Sequence, residues 1–182
     1  MNCIKIIKDE DFGLKSIAFN NPRIRIGARG IVIRDDGKIA IFNKTKKNEY
    51  KLPGGGVEEG EDPVVAFKRE VYEETGCEVA NIDFIGIIEE HKSLDNFKQI
   101  SYVFVSHVSK INSQLHLTEK EKDEGAVLLW LAPVEAYNIV KGCIYNLKGS
   151  KYENLYHSKF IVYRDTLILK EYIDKYLNNK NN

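Results

Sequence analysis

Lys51-Leu52-Pro53-Gly54-Gly55-Gly56, followed at Asp62 by Asp62-Pro63-Val64-Val65-Ala66-Phe67-Lys68-Arg69-Glu70-Val71-Tyr72-Glu73-Glu74-Thr75-Gly76, reads as a glycine turn feeding a fully punctuated helix. Asp62 is an N-cap residue, Pro63 suits the first helical position and Gly76 supplies the C-terminal stop, so the pattern predicts a helix over about 63–75. At roughly 100° per residue, Val64, Phe67 and Val71 form an apolar stripe that must bury against something, and a sheet is the nearest partner. Upstream, Ile24 to Ile33 is rich in β-branched residues, Asp35-Asp36-Gly37 is a turn signal, and Lys38 to Phe42 resumes the apolar run, which predicts a hairpin. Further strands are expected at Cys3 to Ile7, Ile82 to Glu90, Ile100 to Val108 and Val127 to Leu131, and further helices at Ala132 to Lys141 and Ser158 to Leu177. Strands interleaved with separated helices predict an α/β fold with a mixed sheet and helices packed on its faces.

The chain has 182 residues, 43% apolar and 30% charged, with 13 glycines and 4 prolines, which fits a globular chain and excludes collagen-like and low-complexity classes. That length predicts one domain over 1–177, with a core at about 23–141, a C-terminal helical extension at about 142–177 and a disordered tail over 178–182. Lys and Arg total 27 and so do Asp and Glu, so no global field draws the protein to a nucleic acid polymer or an anionic membrane. The absence of a long apolar run or a secretory signal pattern makes the cytoplasm the expected compartment. Cys3, Cys77 and Cys143 are too far apart for a metal or redox motif and are expected as free thiols. His91, His107, His116 and His157 show no metal or nucleophilic spacing and read as structural.

Glu70, Glu73 and Glu74 crowd the helix face beside the apolar stripe, where like charges at this spacing repel by a few tenths of a kcal/mol per pair. Three carboxylates converging there are what a hard divalent cation such as Mg²⁺ or Mn²⁺ takes as ligands, commonly bridging to substrate phosphates. By themselves the three acids read more simply as a solvated helix face. The glycine run before them changes the balance, because it lets the backbone approach a ligand closely.

Taken together, Gly55, Glu61 and Arg69-Glu70-Val71-Tyr72-Glu73-Glu74-Thr75-Gly76-Cys77 resemble the Nudix box, Gly-x5-Glu-x7-Arg-Glu-U-x-Glu-Glu-x-Gly-U with U a bulky aliphatic residue. Every polar and glycine position matches, and Cys77 at the last U is the one departure. The resemblance implies the Nudix fold, an α/β/α sandwich with a mixed β-sheet, and a hydrolase that cleaves a nucleoside diphosphate linked to a moiety X by metal-assisted water attack on phosphorus. It implies metal ligation by Glu70, Glu73, Glu74 and the Gly54 carbonyl, with Mg²⁺ as cofactor and Mn²⁺ as the alternative. Arg69 is expected to fix the glutamate rotamers, with Gly55 and Glu61 in support. Glu70 is the first expectation for the base that takes the proton of the attacking water. Some members use a glutamate from a distant loop, and here Glu119, Glu121 and Glu124 fall in such a segment, with Glu124 the leading choice of the three.

Lys44, Lys46 and Arg29 are the expected contacts to substrate phosphate, beside Lys47 in the same basic stretch. A MutT-like pyrophosphohydrolase of a nucleoside triphosphate or related nucleotide is the leading reading. The sequence lacks the downstream proline of ADP-ribose pyrophosphatases, the tyrosine of dinucleoside polyphosphate hydrolases and the Ser-Gln-Pro-Trp motif of NADH pyrophosphatases. ADP-ribose, dinucleotide and sugar-nucleotide hydrolysis stay as alternatives. So do a non-catalytic nucleotide-sensing module, against which the intact box argues, and an isomerase on the same fold. The C-terminal aromatics Tyr145, Tyr152, Tyr156, Phe160 and Tyr163 are expected to cover the sheet, with a pocket cap or a homodimer interface as the other uses.

Overall fold

The computed structural model describes residues 2–112 and 114–177, and the predicted tail over 178–182 lies outside the described residues. The strands are β1 (Cys3–Lys8), β2 (Arg23–Ile33), β3 (Ile39–Lys44), β4 (Glu49–Lys51), β5 (Gly54–Gly56), β6 (Cys77–Lys92), β7 (Phe97–Ile111) and β8 (Ala126–Leu131). The helices are α1 (Pro63–Thr75), α2 (Glu119–Asp123), α3 (Pro133–Cys143) and α4 (Leu155–Tyr172), the last running on into a π-helical turn over Ile173–Leu177.

The sheet is mixed: β1 runs parallel to β6 and β2 parallel to β7, while the other ladders are antiparallel. Its two faces carry separate cores. On one face Ala28, Val32, Ala40 and Phe104 pack against Ala66, Phe67 and Val71 of α1, with Phe67 stacked on Phe104 at 5.1 Å between ring centroids. On the other face Ile31, Ile33, Ile39, Ile41, Val103 and Val105 meet Ala136 and Val140 of α3 and Phe160, Val162, Ile168 and Leu169 of α4. The result is a three-layer α/β/α sandwich.

α1 forms where the capping residues place it. The Asp62 carboxylate accepts from the Val64 N–H at 2.8 Å, and Gly76, at φ 67°, donates its N–H to the Tyr72 carbonyl at 2.9 Å. α4 starts earlier than its apolar spacing suggests, because the Asn154 side chain caps the His157 N–H at 2.9 Å. β6 and β7 are likewise longer than expected. The β6–β7 ladder shifts register between Glu78 and Val79, between Ala80 and Asp83 and between Phe84 and Gly86, so side-chain alternation is interrupted where the sequence would reveal it.

The expected hairpin forms at Asp35-Asp36-Gly37, with Gly37 at φ 77°, yet β2 and β3 share only the pair Ile33 and Ile39. Beyond that pair the strands diverge. β5 takes the freed edge of β2 through Gly27, Ala28 and Arg29, and β4 pairs with Phe42, Asn43 and Lys44 of β3. Leu52 and Pro53 join β4 to β5 across this wedge, so the split in the sheet is where the glycine run sits. Among the described residues, no helix is long and apolar enough to cross a membrane.

Candidate active site

The wedge between β2 and β3 brings the glycine run under α1. A Cβ on Gly55 would lie 2.3 Å from the Glu70 carboxylate, so only glycine leaves that carboxylate its place. Gly54 sits at φ 136°, and its N–H donates to Glu74 Oε2 at 2.8 Å. Lys51, at the end of β4, donates to the other oxygen of Glu74 at 2.7 Å. Burial holds the Glu74 carboxyl above its ordinary range in spite of Lys51 and the Gly54 N–H.

Arg69 organises the other acids. Its guanidinium donates to Glu61 Oε1 and Oε2 at 3.0 Å each, to Glu70 Oε1 at 2.9 Å and to the Gly56 carbonyl at 2.9 Å, with Glu73 at 3.5 Å. This arrangement ties the start of α1 to the glycine run. Burial and the neighbouring Glu70 charge raise the Glu73 carboxyl above its usual range.

A cavity of about 370 Å³ opens beside this assembly. Glu70, Glu74, Gly54, Gly55, Arg29 and Lys44 all line it, so six of the residues expected from sequence come together. Others do not. Glu73, Arg69 and Glu61 flank the cavity without lining it, and Lys46 is exposed away from it. The three box glutamates do not converge on one point, and no group of three acid, His or Cys side chains among the described residues is arranged to hold a metal. The reason is visible in the pairing: Arg69 draws Glu70 and Glu73 to itself, while Lys51 holds Glu74.

Glu124 is also placed away from the cavity. It is 2% exposed and bound to Lys44 Nζ at 2.8 Å and to the Ser150 hydroxyl at 2.6 Å, which pins the loop after α3 to β3. Glu121 lines the cavity instead, held by a capping box with Thr118. Burial acts to raise its carboxyl, but Lys51 and the Thr118 hydrogen bonds bring it below the ordinary range. Lys51 itself was not singled out from sequence, nor were Arg23, Arg25, Lys92, Gln99 and Arg164, which also line the cavity. The alternation of Arg23 and Arg25 with the expected Arg29 along one strand is the signal in the sequence that could have found two of them.

Glu70 and Glu74, one helical turn apart over the glycine run, share one cavity with Arg29, Lys44 and Lys51, a charge arrangement suited to an anionic ligand. The chain matches the NUDIX domain family profile over residues 23–146, and it belongs to that family of hydrolases. It is 27% identical over 118 residues to a MutT-like protein of Streptomyces ambofaciens, covering 65% of this chain and 70% of that one. To mouse diphosphoinositol polyphosphate phosphohydrolase 3-alpha it is 32% identical over 78 residues, covering 43% of this chain and 46% of that one. The chain therefore spans less than half of the second relative. Among solved structures, a NUDIX hydrolase from Nitrosomonas europaea superposes with a TM-score of 0.54 at 18% identity, covering 76% of this chain and 88% of that one, which shows the shared fold.

Proposed function

We propose that this chain is a divalent-metal-dependent pyrophosphohydrolase that cleaves the anhydride of a nucleoside diphosphate linked to X, with a nucleoside triphosphate or related nucleotide as the first substrate to try. The observation that carries the reading is the placement of Glu70 and Glu74, one turn apart on α1, in the same cavity as Arg29, Lys44 and Lys51. Residues 1–177 are taken to act as one unit, since α4 supplies core residues to the sheet.

The donor chemistry fits a hard cation: Glu70 and Glu74 present carboxylate oxygens at the cavity wall and Gly54 brings backbone beside them, with Glu73 held 3.5 Å from Arg69 on the same helix. When bound, Mg²⁺, or Mn²⁺ in its place, supplies charge neutralisation at phosphate oxygens and a more acidic water. Arg29 and Lys44 hold the anionic chain in place. Arg69 fixes the Glu70 carboxylate through its 2.9 Å contact. A glutamate at the wall takes the proton from water as its oxygen bonds to phosphorus, and the anhydride oxygen leaves with the electrons of the broken P–O bond. Glu70 is the first choice for that base and Glu121 the second, in the place that sequence reading gave to Glu124.

The test is a panel of nucleoside triphosphates, sugar nucleotides and dinucleotides incubated with the protein and Mg²⁺, with phosphate, pyrophosphate and nucleotide products measured. At least one is expected to be cleaved. Glu70→Gln, Glu73→Gln and Glu74→Gln should each lower turnover by orders of magnitude with the fold retained; unchanged turnover in all three at saturating Mg²⁺ overturns the assignment.

A further inference from the structure

α4 reaches the glycine run through one carboxylate. Leu52 and Pro53, the connector from β4 to β5, carry a single N–H between them, because proline has none. Leu52 donates that N–H to Asp165 Oδ2 at 2.9 Å, across 113 residues of sequence. The Pro53 carbonyl accepts from the Gly30 N–H at 3.2 Å. The connector is thus pinned to β2 by backbone and to α4 by a side chain. On either side of it stand Lys51 and Gly54, whose ammonium and N–H hold the two oxygens of Glu74 at 2.7 and 2.8 Å.

Asp165 is itself held. Its Oδ1 accepts from Arg164 Nε at 2.7 Å, Arg164 Nη1 donates to Glu90 Oε2 at 3.0 Å, and Lys92 Nζ lies 2.9 Å from Glu90 Oε1. These four charged side chains run from β6 through α4 to the connector, and none is more than 2% exposed.

Stability does not call for this arrangement. α4 already packs Phe160, Val162, Ile168 and Leu169 into the core. Taking ions out of water is costly, and a buried pair is often no more stabilising than apolar residues of similar volume. Here the desolvation is not fully offset, since Arg164 Nη2 has no hydrogen-bond partner among the described residues. What the ions supply, and apolar contacts do not, is direction: a carboxylate locked by a guanidinium fixes where a backbone N–H must lie. α4 also lies beyond residues 23–146, the span matched by the family profile, so Arg164 and Asp165 are additions to the matched region.

We propose that Asp165, oriented by Arg164, is a positioning residue for the glycine run: as acceptor for the Leu52 N–H it fixes the connector, and through it the Gly54 N–H and the Lys51 ammonium that hold Glu74 at the cavity wall. Its effect on turnover rests on the pyrophosphohydrolase reading of the cavity, whereas the positioning itself is read without substrate or metal. The measurement is amide hydrogen exchange in EDTA, taken as the protection of Gly54 divided by that of Val103 in the core strand β7, a ratio that uniform loss of stability does not lower. Arg164→Met combined with Asp165→Leu replaces the pair by apolar volume and should leave the urea midpoint near that of the parent. The Gly54 ratio should nevertheless fall by about tenfold or more, the scale of one hydrogen bond to a charged acceptor. Asp165→Ala, which leaves Arg164 in place, is the second route to the same loss and should lower the ratio equally. Asp165→Asn keeps an oxygen for the Leu52 N–H, so its ratio should stay within about threefold of the parent although Arg164 loses a partner and the midpoint drops. With a substrate from the nucleotide panel, the double change should lower kcat by about a hundredfold and move KM only a few-fold, because Arg29 and Lys44 belong to β2 and β3 and not to the connector. A Gly54 ratio unchanged in both the double variant and Asp165→Ala overturns the proposal. So does a fall in Asp165→Asn as large as in Asp165→Ala, which would trace the effect to the loss of the buried pair and not to the acceptor. A protein that cleaves nothing in the panel while the exchange results hold would retain the positioning role and lose the pyrophosphohydrolase reading.

Discussion

Two neighbouring glycines separate folding from catalysis at the level of single residues. Gly54→Ala forces an L side chain into φ 136° and sets its Cβ 2.3 Å from the Ala28 carbonyl oxygen and 2.5 Å from the Arg29 Cα. Strain and overpacking each cost about 1–3 kcal/mol, and the atoms in the way are backbone. A clear fall in the urea midpoint is expected. For Gly55→Ala the nearest atoms are all at the end of the Glu70 side chain, at 2.3 Å, with no unusual φ to maintain. It should fold with a midpoint near that of the parent, yet lose about a hundredfold in turnover, the usual scale for a displacement near 1 Å at a reacting group. Equal effects of the two changes on stability would contradict this division. The sequence made the glycine run legible, because three consecutive glycines before an acidic helix are easily seen. It did not reveal that Glu124 would be spent on Lys44 and Ser150, since that pairing depends on where the segment after α3 returns.

Among the elements, α1 was readable almost to the residue because its boundaries are chemical: a side-chain cap, a proline and a left-handed glycine. β4 and β5 were not, being three residues each and held by ladder bonds to β3 and β2. α2 is five residues long, and its visible trace was the Thr118 to Glu121 capping box. α4 poses the sharper question, whether it covers the sheet or flaps over the cavity. Phe160 is fully buried in the core shared with β2, β3 and α3 and packs against Phe12 at 4.6 Å. Phe160→Ala should therefore cost about 3–5 kcal/mol and lower Tm by roughly 6–20 °C in a chain of this size. Tyr145→Ala, at a position 84% exposed, is the control and should leave Tm nearly unchanged. A Tm insensitive to Phe160→Ala would make α4 a flap.

At the scale of the whole molecule, 27 acids balance 27 bases, yet the charges are sorted. Eight acids and two bases lie between Glu58 and Glu78, and the compensating cations come from β2, β3, β4, β6 and α4 around one cavity. Keeping them there requires buried carboxylates that stay charged. Burial acts to protonate Glu90, but Lys92 at 2.9 Å, Arg164 at 3.0 Å and the nearby Arg29 bring its pKa down to about 2. Burial acts the same way on Glu153, and Lys47 at 2.6 Å brings it to about 2. Both groups have an ordinary value of 4.5 in the unfolded chain. Between those values the unfolded state binds more protons than the folded one, so stability rises with pH there. The contribution is fully present above 4.5 and is lost as pH falls toward 2, by about 1.4 kcal/mol per pH unit for each group. Urea midpoints measured from pH 6 down to pH 3 should fall steeply below pH 4.5. Glu153→Gln removes one of the two titrations while leaving Lys47 its 2.7 Å contact with Glu49. That variant should start less stable at pH 6, follow a shallower slope, and approach the parent curve at low pH. Parallel curves would mean that Glu153 does not hold its charge through the folded state, and that the cation ring is balanced elsewhere.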